Sequence, residues 1–228
     1  MIIIKYCGGN RDAGEIEMKI FTAVILSSII GYGLGCLSPS ALISKIKNKN
    51  LREHGTKNLG ASNVTLTFGK KLGAAVMLFD ILKAFFAYKI SELLFPILPL
   101  AGIIAGVAAV VGHIFPFYMK FKGGKGLAAF GGLMLALNPL LFLFLIISGI
   151  ILIIIVNQCF VMSYFAAIVT PIWVGFATKN FLATILVACA SLLLMWKHFE
   201  NLKKAVHHAD VDVRDYIKNN ILKIKSKK

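Results

Sequence analysis

Polar residues come in short blocks along this chain. Between them run apolar stretches at about 20–37, 73–90, 97–119, 127–137, 140–156, 159–178 and 181–196. Such stretches offer water no polar face, so each is expected to be a helix in lipid rather than an amphipathic helix on a soluble core. The region 127–156 decides the count. As one helix it would be about 45 Å long, against about 30 Å of hydrocarbon. Asn138-Pro139 interrupts it, and proline cannot continue a helix without losing a ladder bond. Divided there, the chain has seven apolar helices. The fourth, 127–137, is only about 16 Å long and is expected to be a half-span in a protein-lined region. Gly31 with Gly35, and Gly102 with Gly106, are spaced to let helix backbones approach closely.

Composition agrees and adds a direction. The 228 residues are 58% hydrophobic and only 15% charged, where a soluble domain carries roughly 25% charged residues. A soluble enzyme, a disordered tail and a fibrous protein are thereby excluded. The net charge is +15, and 19 of the 25 Lys and Arg fall in 45–71, 120–125 and the segment from 197. With seven spans these three segments share one face, which the positive-inside rule puts in the cytoplasm. The expected fold is therefore an all-α, polytopic membrane helix bundle of about seven spans, N-terminus outside and C-terminus cytoplasmic. Residues 1–19 read as an N-terminal extension, disordered or not translated, because Met18-Lys19 precedes the first apolar run as a start codon would. Residues 20–200 form the membrane domain, and 201–228 a basic cytoplasmic tail lying along the membrane surface. The four cysteines show no metal-ligand spacing and are expected to be buried thiols. No metal or cofactor site is expected, and no nucleic acid partner, since no soluble domain could present a basic face.

Three polar clusters carry the candidate chemistry. Residues 55–63 read Gly-Thr-Lys-Asn-Leu-Gly-Ala-Ser-Asn. Glycines here permit turns that point backbone N–H groups inward, while Thr56, Asn58, Ser62 and Asn63 add donors and Lys57 adds a charge. Residues 122–126, Lys-Gly-Gly-Lys-Gly, run straight into the apolar segment at Leu127. Glycines before a helix start are expected to form a nest of N–H groups for phosphate, helped by the helix dipole and by Lys122 and Lys125. This is not a nucleotide P-loop: no Ser or Thr follows Gly124-Lys125, and position 119 is Met. The third cluster, His198 and Asn201, shares one face at the end of the last apolar helix, with Glu200 in the same turn. Two further polar sites lie inside apolar runs: His113, a core or site residue, and Asp80 with Lys83, spaced to form an internal ion pair.

In this order and spacing, the clusters resemble the bacterial acyl-phosphate:glycerol-3-phosphate acyltransferases, the PlsY family, over about residues 20–205. That family has Gly-Ser-Gly-Asn-x-Gly-Ala-(Ser/Thr)-Asn after its first span, to which 55–63 is similar. Gly112-His113 ahead of Phe121-Lys-Gly-Gly-Lys-Gly126 matches its middle motif in full, and His198 with Asn201 matches its last. The resemblance implies acyl transfer from a fatty acyl phosphate to the 1-hydroxyl of sn-glycerol 3-phosphate, giving lysophosphatidic acid in phospholipid synthesis. Thr56, His198 and Asn201 would then be catalytic. Lys57, Asn58, Gly60, Ser62, Asn63, His113, Lys122, Gly123, Gly124, Lys125, Gly126 and Ser163 would bind substrate and phosphate, with Asp80, Lys83 and Glu200 structural. The implied setting is the bacterial inner membrane, with the site facing the cytoplasm. Membrane lipids and a soluble enzyme that supplies the acyl phosphate would be partners.

The chain departs from the family pattern at several positions. Thr56 stands for a serine, Lys57 for a glycine and Leu66 for an arginine, and a Ser-Leu-x-Ser pattern is disturbed around Met162-Ser163. Lys57 is the expected replacement for the charge missing at Leu66. Two other readings use the same residues: a transporter of an anionic or phosphorylated solute, and a catalytically weak lipid-binding relative. No inverted repeat is visible to favour the transporter. His207 and Asp212 match the His-x4-Asp acyltransferase signature, but without hydrophobic or glycine context, and are read as chance.

Overall fold

The structure is a computed structural model that describes residues 10–206. Among these the chain forms nine α-helices and no strand: α1 (Asn10–Cys36), α2 (Pro39–Ile46), α3 (Ala61–Phe68), α4 (Lys70–Leu94), α5 (Ala101–Ile114), α6 (Leu127–Leu137), α7 (Pro139–Val156), α8 (Phe160–Thr178) and α9 (Phe181–Val206). Five segments are long and apolar enough to cross a membrane: Ala13–Ile46, Ala101–Met119, Pro139–Val156, Phe160–Thr178 and Phe181–Ala205. The other two predicted spans differ for visible reasons. α4 is long enough at 25 residues, but Asp80, Lys83, Lys89 and Glu92 interrupt its apolar run. α6 has only the 11 residues expected of a half-span. It ends at Asn138, whose side chain accepts from Leu141 N–H at 2.9 Å and caps α7, with Pro139 in its first turn.

Polarity is arranged for lipid. Leu140, Ile155, Phe176 and Phe181 are exposed, while Ser27, Ser91, Thr170 and Ser191 are buried. Close backbone approach holds the bundle together. A Cβ on Gly31 or Gly35 would overlap the backbone of Ala105 or Ala109, so α1 and α5 meet through their glycines and alanines. Gly132 lets α6 reach the backbone of α4 at Ile81. The main core runs through α4, α5, α6, α8 and α9, with Phe130, Leu133, Val174 and Leu194 fully enclosed.

The helices at both ends extend beyond the apolar runs. α1 begins at Asn10, so residues 10–19 are helical and continuous with the first apolar run. At the other end, α9 runs ten residues past its apolar stretch to Val206. The remainder of the tail, with His207 and Asp212, and residues 1–9, with Cys7, lie outside the described residues. Cys36 is buried as expected, whereas Cys159 and Cys189 are exposed.

Candidate active site

The polar loop between α2 and α3 is organised from within. Leu51 and Leu59 are buried in a small core with Val64 of α3 and Val76 of α4, and Ser40 of α2 donates to Leu59 O at 2.9 Å. Asn63 is fully buried. Its Oδ1 accepts from Thr56 N–H at 2.8 Å, and its Nδ2 donates to Leu51 O at 2.7 Å and to Asn58 O at 2.8 Å. Asn63 was expected to bind substrate, but its amide is spent on shaping the loop. Gly55 has φ +57 and sits where a Cβ would strike the Asn63 side chain. Lys57 also adopts φ +57, a left-handed conformation that favours glycine.

The glycine-rich loop also works differently from the expected nest. Gly123 N–H donates to Ile114 O at 2.9 Å and Gly124 N–H to His113 O at 3.1 Å. These amides close the C-terminal turn of α5 and are not available to an anion. A Cβ at Gly124 would strike the His113 imidazole, and one at Gly123 the His113 carbonyl. The two glycines therefore serve close packing. What remains for an anion is the start of α6, with Lys125, Gly126, Leu127 and Ala128 on a cavity wall. Lys122 is exposed and lies off that wall; its carbonyl accepts from Arg52 Nη2, which joins the two loops.

Within the bundle Asp80 and Lys83 form the expected ion pair at 2.7 Å. Lys83 also donates to Leu37 O at 2.7 Å and to His113 Nδ1 at 2.8 Å. His198 is buried and its Nδ1 lies 2.9 Å from Leu194 O. A carbonyl can only accept, so the proton is on Nδ1 and Nε2 keeps its lone pair. Lys125 Nζ bonds Asn201 Oδ1. Ser163 is fully buried, and its Oγ has no protein partner among the described residues.

One cavity of about 730 Å³ gathers these groups. Thr56, Asn58, Gly60, Ser62, Asp80, His113, Lys125, Gly126, Ser163, His198 and Asn201 line it. Of the expected binding residues, Lys57, Asn63, Lys122, Gly123 and Gly124 do not, and neither does Lys83. Glu200, expected to be structural, is exposed and pairs with Lys203 at 3.6 Å, an exposed pair worth about 1 kcal/mol or less. Leu66 does reach the cavity. Sequence reading missed Lys204, which joins the wall one helical turn beyond Asn201, and its 198–201–204 spacing could have shown it. Lys204, although exposed, lines the same cavity as Leu66, whereas Lys57 does not.

A helical bundle for lipid, with a cavity lined by two imidazoles and two lysines, defines an integral membrane protein with a cationic site. The glycerol-3-phosphate acyltransferase family model matches residues 25–208, and the chain belongs to that family. A glycerol-3-phosphate acyltransferase of Bacillus subtilis is 32% identical over 192 residues, covering 84% of this chain and 98% of that protein. One from Coxiella burnetii is 34% identical over 184 residues, covering 80% and 94%. The crystal structure of PlsY (YgiH), an integral membrane glycerol 3-phosphate acyltransferase, in its glycerol 3-phosphate form superposes with a TM-score of 0.77. It is 28% identical and the match covers 83% of this chain and 94% of that one.

Proposed function

We propose that this protein transfers a fatty acyl group from an acyl phosphate to the 1-hydroxyl of glycerol 3-phosphate, releasing phosphate and lysophosphatidic acid. The observation that carries this reading is the convergence of five separate segments, at 55–66, His113, 125–128, Ser163 and 198–204, on one cavity. Glycerol 3-phosphate is the substrate named for the related proteins, and this chain keeps a cationic, donor-rich pocket suited to it. Both substrates carry phosphate, and Lys125, Lys204 and the start of α6 supply positive potential for them.

An acyl phosphate is already activated, so the protein needs no covalent nucleophile. The acceptor oxygen attacks the acyl carbonyl, the bond from carbonyl carbon to phosphate oxygen breaks, and the hydroxyl proton leaves to a base. His198 Nε2 is the unprotonated nitrogen on the cavity wall, and a substrate phosphate oxygen is the other acceptor at hand. Thr56, Asn58, Ser62 and Asn201 orient the acceptor. Holding two reactants in register provides much of the rate enhancement in such a reaction. Asn63 and Lys83 position this apparatus from behind the cavity wall, with Lys83 paired to Asp80 on the wall.

The basic loops support a topology of seven spans with residues 38–71, 120–126 and 197–228 in the cytoplasm of a bacterial cell, so that the cavity draws both soluble substrate and a donor delivered by a cytosolic enzyme. Purified protein given palmitoyl phosphate should release inorganic phosphate only when glycerol 3-phosphate is present. Release without acceptor, or solute uptake into proteoliposomes without release, would replace this reading with a hydrolase or a transporter.

A further inference from the structure

The Lys83 ammonium donates to Leu37 O at 2.7 Å, meets His113 Nδ1 at 2.8 Å and forms an ion pair with Asp80 Oδ1 at 2.7 Å. An ammonium has no lone pair, so the His113 nitrogen that faces it must accept. The ring proton then sits on Nε2. That edge lies beside Gly124, whose missing side chain leaves it room, and His113 forms part of the cavity wall. A competing arrangement is built in, because Asp80 Oδ1 is also 3.3 Å from His113 Nδ1. Without Lys83 that carboxylate would draw the proton to Nδ1 and leave Nε2 an acceptor.

We infer that Lys83 is a positioning residue that fixes His113 as a hydrogen-bond donor at Nε2, directed to the oxygen that gains negative charge during transfer. This deepens the acyl-transfer reading and rests on it. The cavity then holds two imidazoles in opposite tautomers. His198 presents a lone pair for the acceptor's proton, and His113 presents an N–H for the developing charge. A donor oriented in advance stabilises such charge more than a solvent dipole can. It also explains why a lysine lies buried in a membrane helix with its ammonium filled by partners and kept off the cavity wall.

The test is the nitrogen spectrum of protein labelled with 15N-histidine in nanodiscs, with His113→Asn used for assignment. In the wild type, His113 should show a bare Nδ1 and a protonated Nε2. Lys83→Met should move the proton to Nδ1 and lower kcat about 100-fold, with the Michaelis constant for glycerol 3-phosphate changed less than about threefold. Asp80→Asn removes the competing carboxylate and keeps Lys83, so it should retain protonated Nε2. It serves as the second variant if Lys83→Met does not fold. A wild-type His113 protonated on Nδ1, or an unchanged spectrum in Lys83→Met, overturns the inference. The spectrum needs no turnover, so its outcome is separate from failure of the acyl-transfer reading, which the loss of acceptor-dependent phosphate release would reveal.

Discussion

Lys125 and Asn201 are 76 residues apart and are joined by a hydrogen bond from the lysine ammonium to the asparagine side-chain oxygen. The bond ties the residue just before Gly126 and α6 to the last turns of α9, and both partners line the cavity. Each partner thus has two duties, one toward substrate and one toward the other.

Lys125→Ala and Asn201→Ala should each lower kcat/KM for glycerol 3-phosphate by roughly 10- to 100-fold, as loss of a charge-assisted bond of about 1.5–3 kcal/mol requires. The double variant should fall short of the product of the two losses, because the residues act as a pair. Steady-state kinetics on the four proteins measure this.

Gly124→Ala should be destabilising through His113, not through a phosphate. Its Cβ would enter the space of the imidazole. Thermal unfolding should therefore show a lower midpoint in Gly124→Ala than in wild type. His113→Ala should abolish most of that difference in the double variant. A full loss retained without the imidazole would mean that Gly124 meets something else.

Asn63→Ala should loosen the whole 47–60 loop. Three backbone groups lose their partner at once, each worth about 1 kcal/mol or more when left unpaired. Limited proteolysis should cut within this loop, faster than in wild type, and activity should fall even though no ligand contact has been removed.

The division between what the sequence disclosed and what it hid follows from the physics of each residue. Apolar runs located the helices, since lipid imposes one solution on such segments, and Asn138-Pro139 marked the break between α6 and α7. Type and spacing marked Thr56, Asn58, Lys125, His198 and Asn201 as candidates, the resemblance implied their roles, and all five line the one cavity. Direction was hidden. Gly123 and Gly124 have the sequence of a phosphate nest, but their N–H groups close α5, and only the path of the backbone decides that. Asn63 is as polar as Asn58, yet it points into the loop. Lys57 and Lys204 are both exposed lysines near the same motifs, yet only Lys204, on the helical face of His198 and Asn201, reaches the cavity.

That difference sets the expectation for the cation that serves the cavity where position 66 is Leu. Lys204→Ala should raise the Michaelis constant for glycerol 3-phosphate about tenfold, and Leu66→Arg should restore it in that background, since either cation can face the same wall. Lys57→Gly should leave kinetics nearly unchanged and relieve the left-handed backbone, with stability equal or slightly higher. A severe effect of Lys57→Gly would return the compensating role to that residue.

Topology has its own check. A cysteine placed at position 203, on the exposed side of α9, should resist a membrane-impermeant maleimide in intact cells and react once the membrane is opened. Labelling from outside would reverse the orientation of the loops and the cavity together.

The most direct measurement follows the bond that forms. Glycerol 3-phosphate carrying 18O in its 1-hydroxyl, incubated with palmitoyl phosphate and the purified protein, should give lysophosphatidic acid that retains the label. Unlabelled inorganic phosphate should appear in equal amount. Label in the released phosphate, or phosphate without the ester, would contradict acyl transfer to this acceptor in this cavity.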